Sequence, residues 1–270
     1  MRVDVYLTPR GFSGDALKGR LVVVVDVLRA CSTLTAALVH GARAVVPVAD
    51  MAEASRIAGA LDPETSLLGG ERGGKRIDGY AAGNSPLEYG PAVVAGRTVV
   101  LNTTNGTGAF VAARGAAQAV AGCFLNASRV ADFLREAVTT GTEKEAVILC
   151  AGQDGRVALE DVLCAGFLLD RLWGADVPDR ISDGAHIALT QYRHDARRLA
   201  RTLYGCAHTQ RLIALGHGDD VAYCARLDAF PVLPRYRDSR LVLDAADRAW
   251  AEAHVAALAD AAAEGLKVEG

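Results

Sequence analysis

The stretch Leu21-Val22-Val23-Val24-Val25-Asp26-Val27-Leu28-Arg29-Ala30-Cys31-Ser32-Thr33 decides the fold of this chain. Its run of valines predicts a strand that is covered on both faces, as in a parallel sheet. The apolar periodicity of residues 32–40 predicts a helix directly after this strand. A strand followed at once by a helix is typical of an α/β fold, and here a carboxylate, an arginine and two hydroxyls lie at the junction.

These polar residues suit a site for an anion or a metal ion. We expect Ser32 or Thr33 to cap the helix, whose free N–H groups would favour a phosphate or a carboxylate. Asp26 could hold a divalent cation, and the forked guanidinium of Arg29 could bind a phosphate. The segment alone is equally compatible with a structural turn in which Asp26 pairs with Arg29 and Ser32 only caps the helix.

The composition indicates a globular protein of the cytoplasm. The chain has 270 residues, of which 51% are hydrophobic, so it can bury a large core in one domain (1–240) or in two closely packed halves of it, followed by a helical tail (241–270). A net charge of −3 argues against nucleic acid or an acidic membrane as a partner. Six scattered cysteines without a C-x-x-C pair are typical of reduced thiols. Since no run approaches the roughly 20 apolar residues of a membrane span and no signal peptide is evident, we expect a soluble protein, as a monomer or a homo-oligomer.

Strand-like runs alternate with helix-like segments along most of the chain. Strands are predicted at residues 3–7, 21–25, 44–48, 66–68, 98–101, 118–122 and 146–150. Helices are predicted at residues 32–40, 51–60, 108–114, 128–138, 159–173, 183–192, 195–204 and in part of 244–263. The alternation predicts a three-layer α/β/α protein with a largely parallel or mixed sheet. Residues 69–91 contain too many Gly, Asn and Pro residues for regular structure, which indicates a long functional loop.

Three predicted strands end in small polar residues that precede a helix. These junctions are residues 26–33, residues 102–107, and residues 151–155 leading to Glu160-Asp161. Ligands of open α/β sheets bind outside the carboxyl ends of the strands, so we expect the junctions to converge on one crevice. In the second junction, Thr103-Thr104-Asn105-Gly106-Thr107 suits a phosphate, although a capped helix start explains it as well. One of the two carboxylates of Glu160-Asp161 could line the crevice, but acidic residues are also common in the first turn of a helix.

Two glycine-containing segments lie within the predicted loop. Gly69-Gly70-Glu71-Arg72-Gly73-Gly74-Lys75-Arg76 matches the G-x-x-x-x-G-K of a nucleotide P-loop, but Arg76 replaces the required Ser or Thr and no helix pattern follows, so we reject a P-loop. A solvated hairpin tip is the structural alternative. In Gly83-Asn84-Ser85-Pro86-Leu87-Glu88-Tyr89, Ser85 and Glu88 predict a capping box at a short helix.

Cys123 and Arg129 have the C-x5-R spacing of cysteine-dependent phosphatases. Phe124 and Leu125 supply bulk where such a phosphate loop needs small residues, and no histidine precedes the cysteine. We therefore favour a buried thiol over a nucleophile at this position. Asn126 could still contribute polar groups to the rim of a site.

Taken in order, these segments resemble the 2-phosphosulfolactate phosphatase family, a class of magnesium-dependent acid phosphatases tied to coenzyme M biosynthesis. The resemblance is carried by residues 25–30, 69–74, 83–89, 103–107, 124–127, 150–152, 159–166 and, more weakly, 220–224. It implies an α/β/α fold, dependence on Mg²⁺ and hydrolysis of 2-phosphosulfolactate to sulfolactate and phosphate. Departures at Cys31, Gly108 and Gln153-Asp154 leave another small phospho-acid open as the substrate. A non-catalytic binder of phosphometabolites is the alternative from another class.

On this basis we expect a catalytic centre at the rim of the sheet. Mg²⁺ would take oxygen ligands from among Asp26, Glu71, Glu160 and Asp161, and water and substrate would complete its coordination. The residues expected to be catalytic are Asp26, Arg29, Arg72 and Asp161. Binding of the small anionic phospho-acid and its phosphate is expected from Ser32, Thr33, Lys75, Asn84, Ser85, Thr103, Thr104, Asn105, Gly106 and Asn126. Lys75 or Arg76 could meet the carboxylate or sulfonate of the substrate, and both direct attack by water and a phosphoenzyme on Asp26 remain open.

Overall fold

The run of valines forms a strand that is buried at every residue, as its sequence predicts. The computed structural model describes residues 2–10, 14–141 and 145–263 and places this strand in a ten-stranded sheet. The strands are β1 (Arg2–Tyr6), β2 (Leu21–Val25), β3 (Ala44–Val48), β4 (Ser66–Arg72), β5 (Lys75–Arg76), β6 (Thr98–Asn102), β7 (Gln118–Gly122), β8 (Glu145–Cys150), β9 (Arg235–Arg237) and β10 (Arg240–Val242). Their order across the sheet is β1-β8-β2-β7-β9-β10-β3-β6-β4-β5.

Two parallel groups make up most of this sheet. Strands β1, β8, β2 and β7 run parallel to one another, and so do β3, β6 and β4. Between the two groups, β9 and β10 pair antiparallel with each other and with their outer neighbours. The mixed, mostly parallel sheet confirms the predicted α/β class.

Helices connect the strands and cover the sheet. They are α1 (Ala30–Val39), α2 (Met51–Gly59), α3 (Pro91–Val94), α4 (Gly106–Ala112), α5 (Ala127–Thr140), α6 (Leu159–Trp173), α7 (Asp183–Asp195), α8 (Leu199–Gly205), α9 (Ala207–Ala214), α10 (Gly218–Cys224) and α11 (Ala245–Ala263). Among the described residues, none of these helices combines the length and the apolar character that crossing a bilayer requires.

Strand β2 shows how the layers are built. Because successive side chains of a strand point to opposite faces, Leu21, Val23 and Val25 pack with residues of α5, α6 and α7. Val22 and Val24 pack on the other face, in a cluster with residues of α1 and α4. Helices therefore cover the sheet on both faces, which explains why β2 reads as a continuous apolar run.

The sheet is curved so that distant strands meet at one place. Strands β2 and β4 are six strand spacings apart in the sheet order, which would separate them by about 29 Å in a flat sheet. Nevertheless Asp26, directly after β2, and Glu71, within β4, line one cavity. Curvature of the sheet thus brings the two parallel groups to a common site.

Most predicted elements are present, and the differences have local causes. All seven predicted strands form, with ends shifted by at most four residues. The prediction that residues 69–91 lack regular structure is wrong, because β4 continues to Arg72 and pairs with β5 through the tight turn at Gly73-Gly74. The helix predicted at 195–204 forms as α8, but it starts four residues later than predicted. The reason is that α7 runs to Asp195, whose buried carboxylate accepts a hydrogen bond from Arg198 in an intervening 3-10 turn.

The predicted capping box near Pro86 is half right. A short 3-10 helix does begin at Pro86, and the Ser85 hydroxyl accepts the N–H of Leu87. Glu88 instead accepts the N–H of Gly83, so its carboxylate closes the preceding loop rather than the helix start.

The segment predicted as a helical tail, residues 241–270, starts within a strand. β10 spans the point at which we placed the start of the tail, and Leu241 pairs with Val45 of β3. Helix α11 then packs against α1. The division of the chain at residue 240 stays a prediction.

Candidate active site

The three polar junctions meet in one cavity, as the sequence predicts. The cavity encloses about 450 Å³ including the open solvent at its mouth. It is lined by Asp26, Leu28, Arg29, Glu71, Gly73, Gly74, Asn84, Thr103, Thr104, Asn105, Gln153, Asp154, His208, Arg211, Leu212 and Leu215. The first, second and third junctions therefore contribute to the same wall, together with the β4–β5 turn and α9.

Asp26 lies at the centre of this wall, where β2 ends. Its Oδ1 accepts the N–H of Ala30 at 3.0 Å, so its side chain caps the start of α1. Burial raises the pKa of Asp26 from 3.8 to about 6, and the neighbouring charges of Glu160 and Glu71 add to this rise. The α4 backbone lies so close that a Cβ on Gly106 would be 2.5 Å from Oδ2 of Asp26. Only glycine permits this approach.

Ser32 and Thr33 do not cap α1, so that expectation is wrong. The helix begins two residues earlier than predicted, at Ala30, and Asp26 takes the capping role. The Ser32 hydroxyl donates to the carbonyl of Val27, and the Thr33 hydroxyl donates to the carbonyl of Asn84. Both hydroxyls are fully buried and fix the loops that form the cavity.

Arg29 reaches the cavity from a buried ion pair. Its Nη1 is 2.5 Å from Oδ2 of Asp220 on α10, and its Nη2 donates to the carbonyl of Gly74 at 3.3 Å. Oδ1 of Asp220 accepts the hydroxyl of Ser85 at 2.5 Å. Asp220 thereby orients a guanidinium that is 3% exposed, and Ser85 holds Asp220 in place.

Glu71 joins two loops of the cavity by hydrogen bonds. Its Oε2 accepts the N–H of Gly74, and its Oε1 accepts the N–H of Thr104, both at 2.7 Å. The side chain is buried and lines the cavity. Glu71 thus ties the β4–β5 turn to the loop after β6.

Asp161 and Glu160 stand behind the cavity wall at the start of α6. The two oxygens of Asp161 accept the N–H groups of Val27 and Gly152, each at 2.9 Å. Burial raises the pKa of Asp161 well above its ordinary value, and the charge of Asp26 adds to this rise. Glu160 is also buried, and its Oε1 lies 2.7 Å from Nδ1 of His208, a cavity residue on α9.

The loop after β6 supplies hydroxyl and amide groups. Thr103 and Thr107 exchange hydrogen bonds between hydroxyls and backbone N–H groups, which closes the turn into α4. Thr104 and Asn105 line the cavity, and Oδ1 of Asn105 accepts the N–H of Asp154. On the facing loop, the buried Oδ1 of Asn84 has no hydrogen-bond partner among the described residues. Such an orphaned acceptor is unfavourable unless a ligand satisfies it.

The residues expected at the site that do not line the cavity are Ser32, Thr33, Arg72, Lys75, Ser85, Gly106, Asn126, Glu160 and Asp161. Arg72 and Lys75 are exposed on the β4–β5 hairpin, and the Arg72 guanidinium donates to the carbonyl of Glu71. Asn126 is buried beyond β7, where it accepts the N–H of Cys123 and donates to the carbonyls of Ala121 and Val232. Their roles in binding stay predictions.

Neither His208 nor Arg211 is predicted from the sequence as a site residue, although both line the cavity. Both belong to α9, which was not predicted, because the segment Ala207-His208-Thr209-Gln210-Arg211 mixes polar and apolar residues without a clear helical period. The spacing i, i+3 of His208 and Arg211, with Leu212 and Leu215 following, was the available signal for one helix face directed to the cavity.

Cys123 is not suited to nucleophilic attack. Its thiol is fully buried, lies outside the cavity lining and donates to Oδ1 of Asn126. Burial raises the pKa of the Cys123 thiol to about 11. A reactive cysteine requires the opposite shift, because the thiolate is the nucleophile.

The oxygen donors of the cavity fit a hard divalent cation. Asp26 and Glu71 are both buried and line the cavity, and the charge of Glu71 raises the pKa of Asp26. A cation bound by both carboxylates would relieve this repulsion. The orphaned Oδ1 of Asn84 is a further oxygen donor. Within residues 2–10, 14–141 and 145–263, no cluster of three or more His, Cys, Asp or Glu residues forms a metal site by itself. One or two carboxylates with several waters are a common set of ligands for Mg²⁺, and Asp26 and Glu71 provide two carboxylates in this cavity.

The fold and the site together define a class of protein. It is an α/β protein with a crevice at the ends of the strands. Buried carboxylates lie in this crevice together with an arginine that an ion pair holds in place. Comparison with known proteins is consistent with this class. The family model described as 2-phosphosulpholactate phosphatase matches residues 6–239, and the chain belongs to this family.

Relatives cover nearly the whole chain. A protein of Symbiobacterium thermophilum is 39% identical over 229 residues, which are 85% of this chain and 96% of the relative. A protein of Caldanaerobacter subterraneus subsp. tengcongensis is 34% identical over 240 residues, with 88% and 96% covered. A third, from Pseudothermotoga lettingae, is 36% identical over 244 residues, with 90% and 99% covered. Each is named a probable 2-phosphosulfolactate phosphatase.

Proposed function

We propose that this chain is a Mg²⁺-dependent phosphatase that hydrolyses 2-phosphosulfolactate to sulfolactate and phosphate. The observation that carries the proposal is the meeting of buried Asp26, buried Glu71 and buried Arg29 in one cavity of a chain that belongs to this family. Carboxylates that hold a cation and a guanidinium that binds phosphoryl oxygens are the groups phosphoryl transfer needs.

Asp26, Glu71 and the side-chain oxygen of Asn84 would hold the cation. Bound there, Mg²⁺ would offset negative charge on the phosphoryl group and lower the pKa of a bound water. Water and substrate would supply the remaining ligands. Asp161 would act by positioning, since its carboxylate oxygens already accept the N–H groups of Val27 and Gly152.

Arg29 would bind the phosphoryl oxygens. Because Asp220 occupies Nη1 and Gly74 accepts from Nη2, the guanidinium is fixed before substrate arrives, which lowers the entropic cost of binding. Thr104 and Asn105 line the same cavity and would complete the phosphate cradle. Ser32, Thr33, Ser85 and Gly106 would support this geometry without touching the substrate.

His208 would move a proton during hydrolysis. A carboxylate can only accept, so its contact with Glu160 places a hydrogen on Nδ1 and leaves Nε2 for exchange with a group in the cavity. This arrangement needs Glu160 as the partner of His208 rather than as a ligand of the cation.

A phosphate-release assay tests the function. The purified chain is incubated with 2-phosphosulfolactate, 2-phospholactate, phosphoglycerates and phosphoglycolate, with Mg²⁺ or with EDTA. We expect the highest kcat/KM on 2-phosphosulfolactate and loss of turnover in EDTA that Mg²⁺ restores. Saturable binding of 2-phosphosulfolactate without phosphate release would instead favour a non-catalytic binder. Turnover that persists in EDTA would contradict the proposed cofactor.

A further inference from the structure

An ion pair crosses the mouth of the cavity. Nη1 of Arg211 on α9 lies 3.3 Å from Oδ2 of Asp154, which follows β8. A Cβ on Gly73 would lie 3.9 Å from Nη2 of Arg211, so this guanidinium also borders the β4–β5 turn. Both side chains line the cavity and are about half exposed, at 47% and 56%. Arg211 therefore stands between the two sides of the entrance, in contact with solvent.

The other guanidinium of the cavity belongs to Arg29, which is the proposed partner of the phosphate. Arg29 is buried at the floor and pairs with Asp220, whereas Arg211 pairs only with an exposed carboxylate at the rim. An exposed pair of this kind contributes about 1 kcal/mol or less, so an incoming anion can displace Asp154 at little cost. Among the basic side chains that line the described cavity, Arg211 is the one free to take a second anion.

The proposed substrate has such an anion at its far end. In 2-phosphosulfolactate the phosphate and the carboxylate are both attached at C2, whereas the sulfonate is attached at C3 and extends furthest from the phosphate. With the phosphate at the floor beside Asp26 and Arg29, the sulfonate would point to the mouth.

This inference rests on the proposed function. We infer that Arg211 binds the substrate sulfonate and thereby sets the preference for 2-phosphosulfolactate over 2-phospholactate. Asp154 is the competing anion that pairs with Arg211 when no substrate is bound. The forked guanidinium can donate two hydrogen bonds to two of the three sulfonate oxygens, as it does to a phosphate. Lys75 and Arg76, expected in this role from the sequence, are exposed on β5 and do not line the cavity.

The experiment measures discrimination between two substrates that differ only in the sulfonate. In wild type and Arg211→Gln, kcat/KM is determined for 2-phosphosulfolactate and 2-phospholactate. We expect the ratio of the two values to fall about 10- to 100-fold in Arg211→Gln, the range for loss of one charged hydrogen bond. Arg201→Gln is the matched control, because Arg201 is an exposed arginine of the neighbouring helix α8. An unchanged ratio, or an equal loss on both substrates, would overturn the inference.

The variant Asp154→Asn distinguishes sulfonate binding by Arg211 from a purely structural role of the ion pair at the entrance. Asp154 has a φ of +53°, a conformation that asparagine tolerates, so the turn is retained. If Asp154 competes for Arg211, the ratio in Asp154→Asn equals or exceeds that of wild type. If the ion pair only maintains the entrance, Asp154→Asn lowers the ratio as Arg211→Gln does, and the inference fails.

A binding measurement keeps the inference testable even without turnover. By calorimetry, we expect Arg211→Gln to weaken binding of sulfolactate about tenfold or more relative to lactate. Absence of phosphate release from wild type would contradict the proposed function, whereas sulfolactate affinity that does not depend on Arg211 would contradict the inference itself.

Discussion

Nη1 of Arg29 lies 2.5 Å from Oδ2 of Asp220, although the two residues are 191 positions apart in the chain. Both side chains are almost fully buried. The pair connects the junction after β2 with α10, and Ser85 extends the network to the loop before the short 3-10 helix. A buried guanidinium of this kind is tolerated only with its partner in place.

Removal of Asp220 is expected to destabilise the protein strongly. Asp220→Ala leaves Arg29 buried without its counter-ion, for which we expect a loss of about 3–5 kcal/mol in the free energy of unfolding. Urea unfolding measures this loss. Asp219→Ala, which changes the neighbouring exposed carboxylate, is the matched control and should change stability by less than about 0.5 kcal/mol. Similar stability of the two variants would show that the buried pair is not a structural requirement.

The charge of Asp26 should make the metal-free protein less stable at neutral pH. The folded pKa of about 6 lies above the ordinary value of 3.8, so between these values the unfolded chain loses its proton first and stability falls as pH rises. The cost above pH 6 is on the order of 3 kcal/mol. Asn at this position keeps the acceptor for the Ala30 N–H without the charge.

We therefore expect Asp26→Asn to unfold at higher urea than wild type at pH 7.5 in EDTA, with little difference at pH 4. Mg²⁺ should raise the midpoint of wild type but not of the variant, because a ligand stabilises only the state that binds it. Turnover should fall at least about 100-fold in Asp26→Asn. Asp176→Asn, at an exposed position, is the control. A stability difference that does not change with pH would contradict the raised pKa.

Glu71 is expected to couple the cation to the β4–β5 turn. Glu71→Gln replaces one acceptor by an amide that would face the N–H of Gly74 or Thr104, so we expect a loss of about 1–3 kcal/mol in stability. The Mg²⁺ concentration for half-maximal activity should rise about tenfold or more. Glu136→Gln, at an exposed position on α5, is the control. An unchanged Mg²⁺ requirement would argue against Glu71 as a ligand.

How much the sequence predicts depends on the range of the interactions. The valines of β2 and the polar residues after β2, β6 and β8 are local signals, and they are sufficient for the fold class and for the convergence of three junctions. Strands β9 and β10 have three residues each and contain arginines, so no alternation of apolar and polar residues predicts them.

The partners within the site could not be predicted, because they come from distant segments. Arg29 pairs with Asp220 rather than with nearby Asp26, and Glu160 binds His208 of a helix that was not predicted. The capping of α1 was misassigned to Ser32 or Thr33, since the sequence does not reveal that the helix begins early enough for Asp26 to reach it. Long-range pairing and one misplaced helix start account for these differences.

Two glycines of α4 offer a matched pair for the packing against Asp26. A Cβ on Gly106 would lie 2.5 Å from Oδ2 of Asp26 and 2.6 Å from Cβ of Ala30, whereas a Cβ on Gly108 would have no heavy atom within 4 Å. Gly106→Ala must therefore displace Asp26 or the helix, at a cost of about 1–3 kcal/mol. We expect turnover to fall at least about 100-fold, because a shift of about 1 Å at a reacting group is enough for such a loss.

In Gly108→Ala, activity should be retained and stability should rise by up to about 1 kcal/mol, since alanine favours a helix. Phosphate release and urea unfolding of both variants measure these effects. Equal activity of the two variants would contradict the role proposed for Asp26, because α4 approaches this carboxylate closely at Gly106.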